Sequence, residues 1–218
     1  MIAAAVHASS NSVQLLLLIG SLSLIPAVLF TVTGFTRILI VLGFIRTAMG
    51  TTSTPPNQVL VGVALFLTLF VMHPTIDQIK NDAYEPLVHH KISTPQALER
   101  AQEPLREFMF SQVKPQDLTL FISMAKIKPL PRTRAGVPTY VLIPAFILSE
   151  LKTSFAIGFL IFLPFLIIDL IVSSTLMGMG MMMLPPTFIS LPFKILLFVL
   201  VGGWDLITRA LVTSFHAG

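Results

Sequence analysis

The sequence predicts an all-α, membrane-associated protein: helical hairpins with broken apolar helices, joined to a small helical polar domain. Three observations carry this. Of 218 residues, 54% are hydrophobic and only 11% charged, against roughly 25% charged in a soluble domain. The apolar residues gather in four long runs. Nowhere does the chain show the alternation of a half-buried strand. A surface so poor in charge is covered by lipid, by partner protein, or by both.

The N-terminus reads as a short polar tail. Val6-His7-Ala8 has the small-residue spacing of a cleavage site, but no charged region or apolar core precedes it. The first apolar run spans Val13 to Ile45 and is interrupted by Pro26, Gly34 and Arg37. The second spans Val59 to Met72 and is expected to stop at His73-Pro74. The third spans Val141 to Val172 and contains Glu150, Lys152, Pro164 and Asp169. The fourth spans Phe188 to Val201, with Pro192 and Lys194 near its start. A membrane helix takes about 20 predominantly apolar residues. The second and fourth runs are short of that; the first and third exceed it and carry prolines or charges. Such segments are suited to packing on other protein rather than to facing lipid on all sides.

His73 to Thr139 is polar. Thr94-Pro95 reads as an N-cap followed by the first helical residue. Leu98, Ala101, Leu105, Phe108 and Met109 follow at helical spacing. Lys114-Pro115 ends that helix, and a second runs from Gln116 to about Lys126. Pro129, Pro131, Gly136 and Pro138 make a stiff linker. The expected division is residues 1–72, 73–140 and 141–218. Arg37 near the end of the first run and Arg46 just after it place the connection to the second run in the cytoplasm, so the polar domain is expected on the opposite, outer side.

Nine basic residues lie between Lys80 and Arg134, beside seven acidic ones from Asp77 to Asp117. That near-neutral mixture has no basic stripe and excludes nucleic acid as a partner. With no cysteine, disulfides, thiolate metal sites and cysteine nucleophiles are excluded. His7, His73, His89, His90 and His216 form no zinc motif, and no nucleophile elbow or phosphate loop is present. The expectation is no enzyme activity, no cofactor and no metal.

Two constellations remain. Met177, Met179, Met181, Met182 and Met183 are five of the ten methionines, packed around Gly178 and Gly180 and followed by Leu184-Pro185-Pro186. Methionine is apolar and adaptable. Such loops from several subunits would close a pore as a gasket; the plainer alternative is an apolar turn filling an internal gap. Glu150, Lys152, Asp169 and Lys194 are costly beside apolar runs unless paired. Structural pairing is preferred to a proton relay, and Glu150 with Lys194 across a subunit boundary is the expected pair. Lys152 can snorkel.

Several of these segments resemble the FliP/SctR family of type III secretion export-gate subunits, in its flagellar form. The resemblance rests on Thr54-Pro55-Pro56-Asn57-Gln58-Val59-Leu60, Ile143-Pro144-Ala145-Phe146, Ser149-Glu150-Leu151-Lys152, Ile157-Gly158-Phe159, Leu163-Pro164-Phe165, Ile168-Asp169-Leu170, Met179 to Pro186 and Ile189 to Lys194. Gly202-Gly203-Trp204 departs from the family's Asp-Gly-Trp. The resemblance implies a subunit that assembles into a helical multimeric pore at the flagellar basal body in the bacterial inner membrane, with the polar domain on the periplasmic side. Its implied partners are copies of itself, FliQ-type and FliR-type subunits, and unfolded export substrates. The virulence counterpart of the same family is the alternative. A small-molecule or ion transporter is a further one, although no internal repeat supports it.

Overall fold

The computed structural model describes residues 20, 25–51, 53–131, 133–181 and 183–216. Among them the regular structure is helical and no strand occurs. Helix α1 (Ile25–Val32) and α2 (Phe35–Ala48) meet at 82°. Helix α3 (Asn57–Ile79) runs through a π turn (Lys80–Tyr84) into α4 (Glu85–Val88), giving a 32-residue rod. Then come α5 (Thr94–Gln112), α6 (Pro115–Met124) and a 3-10 turn (Arg134–Gly136). The longest helix, α7 (Thr139–Gly178), has 40 residues. It is followed by α8 (Pro186–Leu200) and α9 (Gly203–His216), which meet at 64°.

Two local expectations are corrected. The second apolar run does not stop at His73-Pro74, because α3 passes through Pro74 to Ile79. A proline inside a helix gives up one backbone hydrogen bond and costs roughly 3 kcal/mol. Burial of Val71, Met72 and Thr75 around it works in the other direction. Pro144 and Pro164 in α7 and Pro192 in α8 are carried in the same way. The N-cap of α5 is Ser93, not Thr94. Its backbone N–H donates to Oε1 of Gln96 at 3.0 Å, half of a capping box.

Helix α7 is the spine. Helix α2 lies along it, burying Phe35, Ile38, Val41, Leu42 and Ile45 with Val141, Leu142 and Phe146 of α7 and Met109 of α5. Arg106 of α5 holds the start of α7, donating to Oγ1 of Thr139 at 2.6 Å and to the Val137 carbonyl at 2.8 Å. The polar helices therefore pack on the apolar ones. At 1.5 Å per residue α7 is about 60 Å long, twice the roughly 30 Å of a bilayer's hydrocarbon. Among the described residues two helical stretches, Asn57–Val88 and Thr139–Gly178, are long and apolar enough to cross a membrane, and up to four if each bent pair counts as one span.

The buried centre of the bundle is ionic. Arg37 of α2 is 2% exposed and Glu150 of α7 fully buried. The guanidinium grips both carboxylate oxygens, with Nε to Oε2 at 2.9 Å. Its other donors reach Oε1 of Gln112 at 2.9 Å, the Ser214 carbonyl at 3.0 Å and Ser214 Oγ at 3.1 Å. All five N–H groups of the fork thus have acceptors. The guanidinium also lies 3.9 Å from the centroid of the Phe215 ring, and Gln112 donates to the Phe215 carbonyl at 2.9 Å. One arginine joins α2, α5, α7 and the end of α9. Farther along, Asp117 of α6 accepts from Ser149 at 2.7 Å and from Lys152, both on α7. The Lys114 N–H closes that knot onto Ser149 at 2.9 Å.

Two predictions follow from these networks. Replacing Arg37 by Met, or Glu150 by Leu, leaves a buried charge uncompensated and should cost roughly 3–5 kcal/mol. The double replacement should recover much of that loss; thermal unfolding of the four proteins in one detergent measures it, and equal losses in single and double variants would contradict it. The second concerns pH. Burial pushes Asp117 up, but hydrogen bonds from Lys152 and Ser149 and the charges of Lys152 and Lys114 outweigh it, holding the carboxyl below its ordinary value of 3.8. A depressed carboxylate stabilises above its unfolded value, and the contribution is lost as pH falls through its folded value. The gap in melting temperature between the parent and Asp117→Asn should therefore be constant from neutrality to roughly pH 5 and close only below about pH 4. A gap already closed at pH 5 would refute this.

Candidate functional site

The methionine segment joins α7 to α8. Met177 lies in the last turn of α7 and is 60% exposed. The helix is stopped by a hydrogen-bonded cap in which Met181 N–H reaches the Leu176 carbonyl and Gly180 N–H the Met177 carbonyl, each at 3.0 Å. Gly180 has φ +74°. This left-handed residue is the one a Schellman cap requires, and glycine takes it without steric cost. Gly180 is thus a fixed helix stop, while Gly178 is still helical. The side chains of Met179, Met181 and Met183 are exposed, Met183 to 98%. Met182 lies outside the described residues. Pro185 caps α8 and Pro186 is its first residue, where a missing N–H costs nothing.

Below the loop the two arms are tied. Lys194 Nζ of α8 meets Asp169 Oδ2 of α7 at 2.6 Å, and Ser190 Oγ donates to Asp169 Oδ1 at 2.7 Å. The Lys194 side chain is 4% exposed. Between this tie and the loop the arms part around an open apolar groove of about 430 Å³. Ile171, Val172, Thr175, Leu176 and Met179 line one side, Ile189 and Phe193 the other.

The charged residues therefore do not pair as expected. Within the chain, Glu150 takes Arg37 and Lys194 takes Asp169, so the expected Glu150–Lys194 pair is replaced by two others. The reason is proximity in the fold: α2 lies beside Glu150, and the hairpin brings Lys194 back to Asp169. Lys152, with its side chain half exposed, reaches Asp117. Pro55 and Pro56 lead out of the α2–α3 turn into α3, whose first residues are Asn57 and Gln58; Pro56 caps α3 and Asn57 Oδ1 accepts from Arg46. Sequence reasoning missed Arg37, Gln112, Asp117 and Ser190 as members of these networks. Arg37 had a visible signal, since it is a charge inside an apolar run.

No cluster of three or more potential metal ligands occurs among the described residues. What the hairpin offers is an exposed apolar tip on a tied base.

Residues 18–211 match the FliP family. The chain is 54% identical to the flagellar biosynthetic protein FliP of Bacillus subtilis (strain 168) over 206 residues, covering 94% of this chain and 93% of that one. It is 53% identical to the protein of the same name from Pectobacterium carotovorum subsp. carotovorum, covering 94% of this chain and 80% of that one. For the Caulobacter vibrioides protein of that name the figures are 52%, 94% and 77%. With a match across nearly its whole length and relatives at half identity or better, this chain belongs to the FliP family, components of the flagellar type III export apparatus.

Proposed function

We propose that the chain is a core pore-forming subunit of the flagellar export gate, passing unfolded export substrates across the bacterial inner membrane. It works with copies of itself and with FliQ-type and FliR-type subunits. The observation that carries this reading is the methionine tip. Met177, Met179, Met181 and Met183 are each at least 42% exposed, in a chain that pairs each charge on its longest helix. An internal gap-filling turn would bury them.

The surface supports assembly with protein. Phe66 and Phe70 on α3, Phe155, Phe159 and Leu160 on α7, and Val199 and Leu200 on α8 are all more than half exposed. Helices longer than the bilayer is thick cannot hide all of that in lipid, so neighbouring subunits cover the remainder. The residue divisions 1–72, 73–140 and 141–218 belong to this reading, as does a periplasmic position for the polar domain. Arg37 is consumed by Glu150, which leaves Arg46 to carry the positive charge of the α2–α3 connection.

In the closed state, methionines from several copies meet and exclude water, since a narrow apolar constriction dewets. Three rotatable bonds per side chain let the seal reshape around a passing polypeptide. Replacing Met181, Met182 and Met183 by alanine should leave assembly intact, open an ion leak and still pass protein. Conductance of the assembled mutant complex is the test, and a tight seal without those methionines would overturn the gate.

A further inference from the structure

The tie below the loop has a feature that hairpin stability alone does not explain: it also reaches the far side of the chain. A Cβ built at Gly50, in the α2–α3 turn, would lie 3.6 Å from Lys194 Nζ and 3.9 Å from Leu191 Cδ1. Gly50 has φ +77°, a backbone conformation that favours glycine, and a Cβ there would meet Lys194 and Leu191 at ordinary contact distance. The ammonium of Lys194 is thus held by the Asp169 carboxylate and lies beside the α2–α3 turn. Beyond it both hairpin arms line an open apolar groove. Arms that flank an open groove give way at a lower free-energy cost than a hydrogen-bonded ion pair whose lysine side chain is 4% exposed.

We propose that Asp169, Ser190 and Lys194 form a fulcrum: they are positioning residues that hold the base of the methionine hairpin while the portion beyond them flexes across the groove. The inference rests on the gate reading above. On it, the seal depends on the tie, because the tie sets where each methionine tip stands. Passage depends on the groove, because the groove gives the arms room to move.

Two measurements on the assembled membrane complex test this. Asp169→Asn keeps the shape and removes the charge; it should lose the ion seal although every loop methionine is present. The reversal Asp169→Lys with Lys194→Asp should restore part of the seal and guards against a failure of the single variant to assemble. The second measurement uses the absence of native cysteine. Val172→Cys with Ile189→Cys places thiols on the two walls of the groove, for bridging by a short bis-maleimide. Bridging should leave the ion seal intact and abolish protein passage, whereas the unbridged variant should pass protein normally. If the methionine-to-alanine complex leaks but Asp169→Asn and the reversed pair both seal like the parent, the fulcrum is wrong and the gate survives. If the methionine-to-alanine complex does not leak, the gate falls and the fulcrum with it. Undiminished passage through bridged hairpins would also overturn the fulcrum.

Discussion

The contact between Arg37 and Glu150 is the constraint on which the other packing depends. Burying either charge alone costs several kcal/mol, so α2 and α7 are compatible with burial only in the register that brings the two together. The same guanidinium saturates acceptors on α5 and α9, so the register of those helices is fixed too. Apolar contacts among leucines and phenylalanines are non-directional and would tolerate sliding of one smooth helix along another. A planar fork with five donors does not. The pair contributes less as net stabilisation than as choice of one packing among several apolar alternatives.

The same logic recurs along α7. Its three charged residues are Glu150, Lys152 and Asp169, and each takes an opposite charge from a different element: Arg37 of α2, Asp117 of α6 and Lys194 of α8. A 40-residue helix with little amphipathic character offers its neighbours no preferred face by hydropathy. The charges supply the missing address. This explains how a chain with 54% hydrophobic residues specifies an arrangement without a strongly patterned apolar stripe.

How much of this was legible follows from the physics of each signal. Helical class and the four apolar runs were plain, because hydropathy and period are local. The position of the methionine turn was also readable, since Pro185-Pro186 and Gly180 act on the backbone where they stand. The limits of the runs were not: proline at 74, 144, 164 and 192 reads locally as a break, whereas tertiary packing carries the helix through it. Pairing was the least legible feature. Glu150 and Arg37 are 113 residues apart, and nothing in the sequence near either residue names the other. That Glu150 needed a partner followed from desolvation; which partner followed only from the fold.

The spacing of the three ties also divides α7 into parts with different neighbours. Up to Lys152 the helix is tied to α2, α5 and α6 through Glu150, Phe146 and Ser149, and Phe44 of α2 continues along it to Phe155 and Gly158. From Thr153 to Ile168 no charge occurs, over roughly 24 Å of helix, and Phe155, Phe159, Leu160 and Ile167 stand more than half exposed. Asp169 then marks the return of polar contacts, and beyond it only about two and a half turns remain before the helix stops at Gly180. The middle stretch is the part of α7 that hydrocarbon can cover without taking up a charge. It is a few ångströms shorter than a bilayer's apolar thickness, so charged residues at its two ends lie near the depth at which lipid gives way to water or protein. Charge placement, rather than helix length, therefore decides how much of α7 lipid can surround and how much must be surrounded by protein.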